Sequence, residues 1–143
     1  MDSDIVANSM HQPAPFQALM HAGYGSGFFR DMTAVEGEKI NLQAASRYFN
    51  GKQRAPAWRE EAAAVLAQCI RVVLARQDLP ESLEAKRQST LTILDVLVSQ
   101  YDEHESRATK ADKAYARAVV ASNAADMAED IQAEINRRND DEE

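Results

Sequence analysis

The sequence predicts an all-α fold, in which a group of short N-terminal helices is followed by long amphipathic C-terminal helices. Apolar residues recur at helical spacing along most of the chain, and no segment alternates with the two-residue period of a strand. Runs of alanine favour helix further. The five glycines and four prolines all lie before residue 81, so little interrupts a helix in the second half of the chain.

The sequence of the N-terminal part predicts a flexible arm followed by two short helices. Residues 1–15 form a flexible arm that ends in a proline-rich approach to the first helix. That helix covers residues 16–22, and the glycine-rich stretch 23–27 ends it. A second helix covers residues 28–35, with Ser26 as its N-cap and Gly37 just beyond its end.

A third short helix has the clearest boundaries. Asn41 is a good N-cap for a helix over residues 42–49, and the pair Asn50-Gly51 is typical of a helix end. The helical spacing assigns Leu42, Ala45 and Phe49 to the face that packs on the domain. The opposite face then carries Gln43, Ala44 and Arg47.

The sequence of the remaining chain predicts three longer helices. The first runs from about residue 56 to 76, with Trp58 as a core anchor near its start, and a second covers residues 81–103. A last helix covers residues 107–138, with Tyr115 and Ile135 on its apolar face, and a disordered acidic tail, residues 139–143, follows. We therefore divide the chain into an N-terminal helical domain, 16–78, and a helical interaction region, 79–138.

Length and composition limit the class of protein. A chain of 143 residues forms a core without disulfides or metal, and the single cysteine, Cys69, excludes an internal disulfide. No apolar run reaches the roughly 18 residues of a membrane span, and the acidic residues 1–4 do not resemble a signal peptide. We therefore expect a cytoplasmic protein that does not bind membranes.

Charge is distributed unevenly along the chain. The net charge is −7, yet residues 41–59 carry four basic side chains and no acid. Residues 60–143 carry eighteen acids and ten bases, a net charge of −8. A nucleic acid responds to the local potential within a Debye length of about 8–10 Å more than to the total charge. The basic stretch is therefore the candidate for contact with nucleic acid.

The same stretch carries a recognisable pattern, residues 41–56. A small residue and a serine, Ala45-Ser46, precede Arg47, two bulky residues, Asn50-Gly51, two further basic residues and a proline. This pattern resembles the recognition helix and following loop of Cro and lambda-repressor-type (XRE-like) helix-turn-helix regulators. The resemblance is strong over about these residues and loose over 16–75, and the connection at 36–40 is longer than the tight turn usual in that family.

The resemblance implies a transcription regulator that binds double-stranded DNA as a homodimer. We expect a repressor, encoded on a phage or another mobile element, with much of the dimer interface within residues 82–135. A hairpin of the same helices within one chain is the alternative arrangement. The long C-terminal helices also offer a surface for a protein partner.

Physical requirements assign roles within the predicted DNA surface. A helix in the major groove reads adenine with Gln43 and guanine with Arg47 through paired hydrogen bonds. The helix N-terminus at Asn41 and the hydroxyl of Ser46 suit a phosphate, and Lys52 with Arg54 follows the sugar–phosphate backbone. The predicted DNA-binding residues are Asn41, Gln43, Ala44, Ser46, Arg47, Lys52 and Arg54.

Two alternatives to DNA binding remain open. Residues 41–56 also fit an ordinary helix–loop–helix of a bundle with a solvated basic loop. The acidic charge of residues 60–143 fits an adaptor, or an acidic inhibitor that occupies the basic channel of a DNA-handling enzyme.

The sequence contains no enzyme signature. Cys69 lies on an apolar helix face with no base near it in the sequence, which favours a buried structural thiol over a nucleophile. The three histidines are dispersed, and the glycine-rich stretch lacks the preceding strand of a dinucleotide-binding loop. We predict no catalytic residue, no metal ligand and no cofactor.

Overall fold

The computed structural model describes residues 12–142, and the chain is all-α over this range, as the sequence predicts. The greater part of the predicted arm, residues 1–11, lies outside the described residues. The helices are α1 (Ala14–His21), α2 (Ser26–Met32), α3 (Leu42–Phe49), α4 (Ala57–Ala75), α5 (Glu81–Gln100), α6 (Lys110–Ser122) and α7 (Ala124–Glu142). A π-helical turn, Tyr101–Glu105, continues α5.

The first two helices differ slightly from the prediction. α1 begins two residues early, because Pro15 in its first turn has the fixed φ that suits a helix start. Ser26 is the first residue of α2 rather than its cap, which is Gly25. α2 ends at Met32, since the chain then turns through Glu36 and Gly37, both with positive φ, and Val35 pairs with Glu38.

α3 has the predicted boundaries because both of its ends are fixed locally. The Asn41 side chain accepts a hydrogen bond from the backbone N–H of Gln43 at 2.7 Å. At the other end Gly51 has a φ of 77°, which a glycine adopts without strain. The connector from Thr33 to Asn41 is long, as expected from the sequence.

The last predicted helix is broken into α6 and α7 at Asn123. The Asn123 side-chain amide donates to the carbonyl oxygens of Met32 at 3.1 Å, Ala34 at 3.3 Å and Val119 at 3.0 Å. These bonds hold the break against the end of α2. α7 then continues as helix to Glu142, into the segment that the sequence predicts to be disordered.

One hydrophobic cluster joins the two regions into which the sequence divides the chain. It contains Phe16 and Phe29 from the N-terminal helices together with Leu94, Val120 and Ile131 from the later ones. α4 lies at its centre, packed against α1, α5 and α6. The helices of residues 79–138 therefore cover the N-terminal helices of their own chain.

The described helices include none that is both long and apolar enough to cross a membrane.

Candidate nucleic-acid interface

An aromatic cluster fixes α3 to the rest of the molecule. The ring of Phe49 lies 5.0 Å from that of Phe16 and 5.7 Å from that of Phe29, measured between centroids. Tyr48 packs beside them, with its ring 6.3 Å from Phe16. Aromatic pairs at these distances bury a large apolar area in a defined geometry. These contacts fix the position of α3 on the core.

The buried face of α3 is rotated from the one that the sequence predicts. Ala45 and Phe49 are buried as expected, but Leu42 is 47% exposed and Tyr48 only 6%. The prediction of Leu42 as an anchor is wrong because the first turn of α3 extends beyond the aromatic cluster, whereas Tyr48 lies within it. Ala44 is also half-buried and packs on the core, so its assignment to the exposed face is wrong.

The outer face of α3 presents polar side chains to solvent. Gln43, Ser46 and Arg47 are all exposed, and Gln43 and Arg47 lie one turn apart. Asn41 is exposed too, although its side-chain oxygen is occupied as the N-cap of the helix. This face has the donors and acceptors that contact with base edges requires.

The loop after α3 folds back along the helix. The Arg47 Nε donates to the side-chain oxygen of Gln53 at 3.0 Å, and the Lys52 N–H donates to the Arg47 carbonyl at 2.9 Å. Lys52 is exposed, and within residues 12–142 neither Arg47 nor Lys52 forms an ion pair. Their positive charges are therefore not neutralised by a described carboxylate.

Arg54 is bound to α4 rather than extended into solvent. Its Nε and Nη2 donate to the two carboxylate oxygens of Glu60 at 2.9 and 3.1 Å. The hydrogen bond to Glu60 is the main reason that the pKa of Arg54 lies above its ordinary value. The side chain is still 41% exposed, so one side of the guanidinium faces solvent.

Glu60 and Glu61 form a pair of buried carboxylates in the first turn of α4. Glu60 is fully buried and also accepts a hydrogen bond from Arg107 at 3.3 Å. Glu61 is 5% exposed and accepts from the hydroxyl groups of Tyr101 at 3.2 Å and Ser106 at 3.4 Å.

Sequence reasoning missed this carboxylate pair because three of its four partners lie forty or more residues away, and only Arg54 is near in the sequence. A signal was nevertheless present, since Glu60 lies on the same helical stripe as apolar residues that become buried. That stripe continues through Ala63, Ala67, Ile70 and Leu74.

Arg59, the remaining basic residue of the stretch 41–59, packs against neighbouring residues of the fold. Its guanidinium lies 4.4 Å from the centroid of the Trp58 ring and donates to the carbonyl and hydroxyl oxygens of Thr33. Burial lowers the pKa of Arg59. Trp58 in turn packs edge-on against Tyr115 at 4.9 Å. Tyr115, placed by the sequence on the apolar face of its helix, is 45% exposed, because it covers Trp58 from outside.

Other side chains considered from the sequence do not converge into a second site. Cys69 is half-buried, and burial raises the pKa of its thiol. His104 and its neighbour Glu103 are both 70% exposed. Gly23 has a φ of 93° in the turn that ends α1. Among residues 12–142, no three metal-ligating side chains come together.

No family model matches the chain, and neither the curated proteins nor the solved structures include a match to it.

Proposed function

We propose that this protein is a sequence-specific DNA-binding transcription regulator that places α3 in the major groove. The observation that carries the proposal is the pair Gln43 and Arg47, exposed one turn apart on a helix whose opposite side is fixed by Phe49. A short, rigidly held helix with one polar face is what direct readout in the major groove requires.

The side chains of α3 and its loop divide into two roles. Gln43 pairs with adenine and Arg47 with guanine, the latter after exchanging its bond to Gln53 for the base. Ser46 and Lys52 contact phosphates, which fixes the register without reading sequence. The Glu60-bound Arg54 adds its solvent-facing side to the same surface.

The regulator acts as a homodimer in this proposal. Two copies of α3 would enter successive major grooves about 34 Å apart and read a palindrome. We propose repression as the outcome and a phage or mobile-element source, both on the resemblance of residues 41–56. Sedimentation equilibrium of the purified chain tests the dimer.

The experiment is selection of DNA bound by the full chain from a random pool, followed by binding measurements on the selected duplex. We expect Arg47→Ala to weaken specific binding by about 1–3 kcal/mol, roughly 5- to 150-fold, and to relax the preference at one base pair. Arg76→Ala is the matched control. Arg76 is exposed at the far end of α4, about 28 Å from the start of that helix.

Unimpaired binding by a combined variant would overturn the proposal. This variant carries Arg47→Ala, Lys52→Ala and Arg54→Ala, with its helix content checked by circular dichroism. If it binds the selected duplex as tightly as the wild type, α3 and its loop are not the DNA surface.

A protein-interaction module is the second candidate function. A groove between α4, α5 and α6 has an apolar floor that includes half-buried Val65 and Val73 and exposed Val72. Residues 60–143 around it are acidic overall. Co-purification of one defined protein, with no DNA binding at low salt, would favour this candidate.

A further inference from the structure

We infer that Arg107, just after the π-helical turn, is a further phosphate-binding side chain of the DNA interface, and that Glu60 positions it beside Arg54. This role depends on the proposed DNA binding and extends it to a part of the chain that sequence reasoning did not connect with the interface. The ligand is a backbone phosphate of double-stranded DNA.

The geometry brings two arginines together on one carboxylate oxygen. The Arg54 Nε lies 2.9 Å from Glu60 Oε1, and the Arg107 Nη2 lies 3.3 Å from the same oxygen. Arg107 also donates to the carbonyl oxygen of Ala55, in the loop that follows α3. The C-terminal half of the chain therefore contributes a guanidinium directly to this loop.

Glu60, Arg54 and Arg107 differ in how far their side chains are buried. Glu60 is completely buried, whereas the side chains of Arg54 and Arg107 are each 41% exposed. The carboxylate thus occupies the inner side of the pair. A guanidinium has five N–H donors, so both arginines keep donors that Glu60 and Ala55 do not use.

The charges around the pair favour an anion. Arg54 and Arg107 balance the adjacent buried carboxylates of Glu60 and Glu61, and the exposed side chains of Arg47 and Lys52 add two positive charges. Glu105 is a further acid whose charge acts on Arg54, and it reduces this potential without cancelling the charges of Arg47 and Lys52. Paired arginines hold phosphate well because their donors lie in a fixed plane.

The pair is continuous with the face that would read bases. Arg47 is bonded to Gln53, which directly precedes Arg54, and Arg54 shares its carboxylate with Arg107. With α3 in a groove about 12 Å wide, side chains flanking the helix meet the phosphates at the groove edge. Arg107 therefore contacts the backbone and contributes equally to every sequence.

Glu60 is a positioning residue in this arrangement. A free arginine loses much rotamer freedom when it binds a phosphate, and a fixed carboxylate removes that freedom before DNA arrives. Because the carboxylate is buried at the start of α4, its own position is fixed by the core. Two flexible cations are thereby held side by side.

The test measures how DNA affinity of the full chain depends on salt, by fluorescence anisotropy with the selected duplex and a random duplex. We expect Arg107→Gln to weaken both complexes by a similar factor and to reduce the slope of log affinity against log salt by about one. Arg107→Lys keeps the charge and should retain the slope. Arg71→Gln is the control, since Arg71 is 39% exposed and ion-paired, but with Asp95.

A second variant tests the positioning role. Glu60→Asp keeps the charge but shortens the side chain, so it no longer reaches both guanidinium groups. We expect a several-fold loss of affinity for both duplexes with an unchanged salt slope, because the number of cations is the same. Wild-type affinity in folded Glu60→Asp would overturn this role.

The outcomes separate this inference from the proposed function. If Arg107→Gln has the wild-type affinity and slope while Arg47→Ala loses specific binding, the role of Arg107 is overturned and the DNA-binding proposal stands. If the wild-type chain binds no duplex at low salt, both fall. Circular dichroism of each variant establishes that any lost binding is not lost folding.

Discussion

Two adjacent acids, Glu60 and Glu61, are buried in the first turn of α4 without being left unpaired. Each carboxylate accepts hydrogen bonds from at least two side chains, which is what makes the burial of charge tolerable. Their partners come from the loop after α3 and from the segment after α5. These side chains therefore join three parts of the chain at one point.

Tyr101 gives this junction a defined response to alkaline pH. Its side chain is fully buried, and burial is the main cause that raises the pKa of its hydroxyl, followed by the nearby charges of Glu61 and Glu60. In the unfolded chain the phenol loses its proton near pH 10. Above that pH the folded state holds the extra proton, so the free energy of unfolding must fall as pH rises.

We expect Tyr101→Phe to flatten this pH dependence. Urea unfolding at several values from pH 8 to 11 measures the slope, which should be smaller in the variant above about pH 10. At pH 8 the variant should be less stable by about 0.5–1.5 kcal/mol, because the hydrogen bond to Glu61 is lost. Tyr115→Phe is the matched control, and equal slopes for wild type and Tyr101→Phe would contradict the assignment.

Single residues also mark the limit of sequence reasoning at the candidate site. The exposure of Gln43 and Arg47 follows from helical spacing alone, and the structure agrees with it. Helical spacing does not predict that Tyr48 is buried and Leu42 exposed. That outcome depends on the positions of the Phe16 and Phe29 rings, against which Tyr48 packs. The role of Arg107 could not be predicted for the same reason, since 52 residues separate it from its contact Ala55.

At the scale of helices, boundaries set by local chemistry were predicted well. α3 and α4 begin and end within a residue or so of their expected positions, since a capping asparagine, a glycine with positive φ and a proline mark them. The break between α6 and α7 was not predicted. Asn123 is a residue type that can cap or end a helix, but no glycine or proline accompanies it, and its side chain is fixed by bonds to Met32 and Ala34, about ninety residues earlier.

The N-cap of α3 offers a prediction at this scale. Asn41→Ala removes the acceptor for the Gln43 N–H and should lower the free energy of unfolding by about 1 kcal/mol. Asn41→Ser keeps an acceptor and should remain close to the wild type. Urea denaturation at pH 7 measures both, and equal stability of the alanine and serine variants would show that the cap contributes nothing.

The larger core of the described residues draws on both the first and the last helices. Phe16 and Ile135 belong to one cluster of buried residues, and α4 reaches it from the middle of the sequence. The sequence predicts a domain boundary at residue 78, because Pro80 and the polar residues before it are typical of a break between helices. The local sequence pattern does not predict which helices pack against α4, because that depends on tertiary structure.

A fragment of residues 1–78 should therefore not fold as an independent domain. It would expose the sides of α1 and α4 that α5 and α6 cover, together with the core contacts of Leu94, Val98 and Val120. We expect low helicity and a broad thermal transition by circular dichroism, beside one cooperative transition for the full chain. Sharp melting of the fragment would contradict a shared core.

The position of Ile131 and Ile135 in that cluster matters while the chain is being synthesised. Ile131 is synthesised about a hundred residues after Phe29, so the core lacks part of its apolar contacts until α7 has left the ribosome. A premature stop codon or frameshift before Ile131 would then be as harmful as a substitution in the centre of the core. We expect such truncated products to be captured by chaperones or degraded.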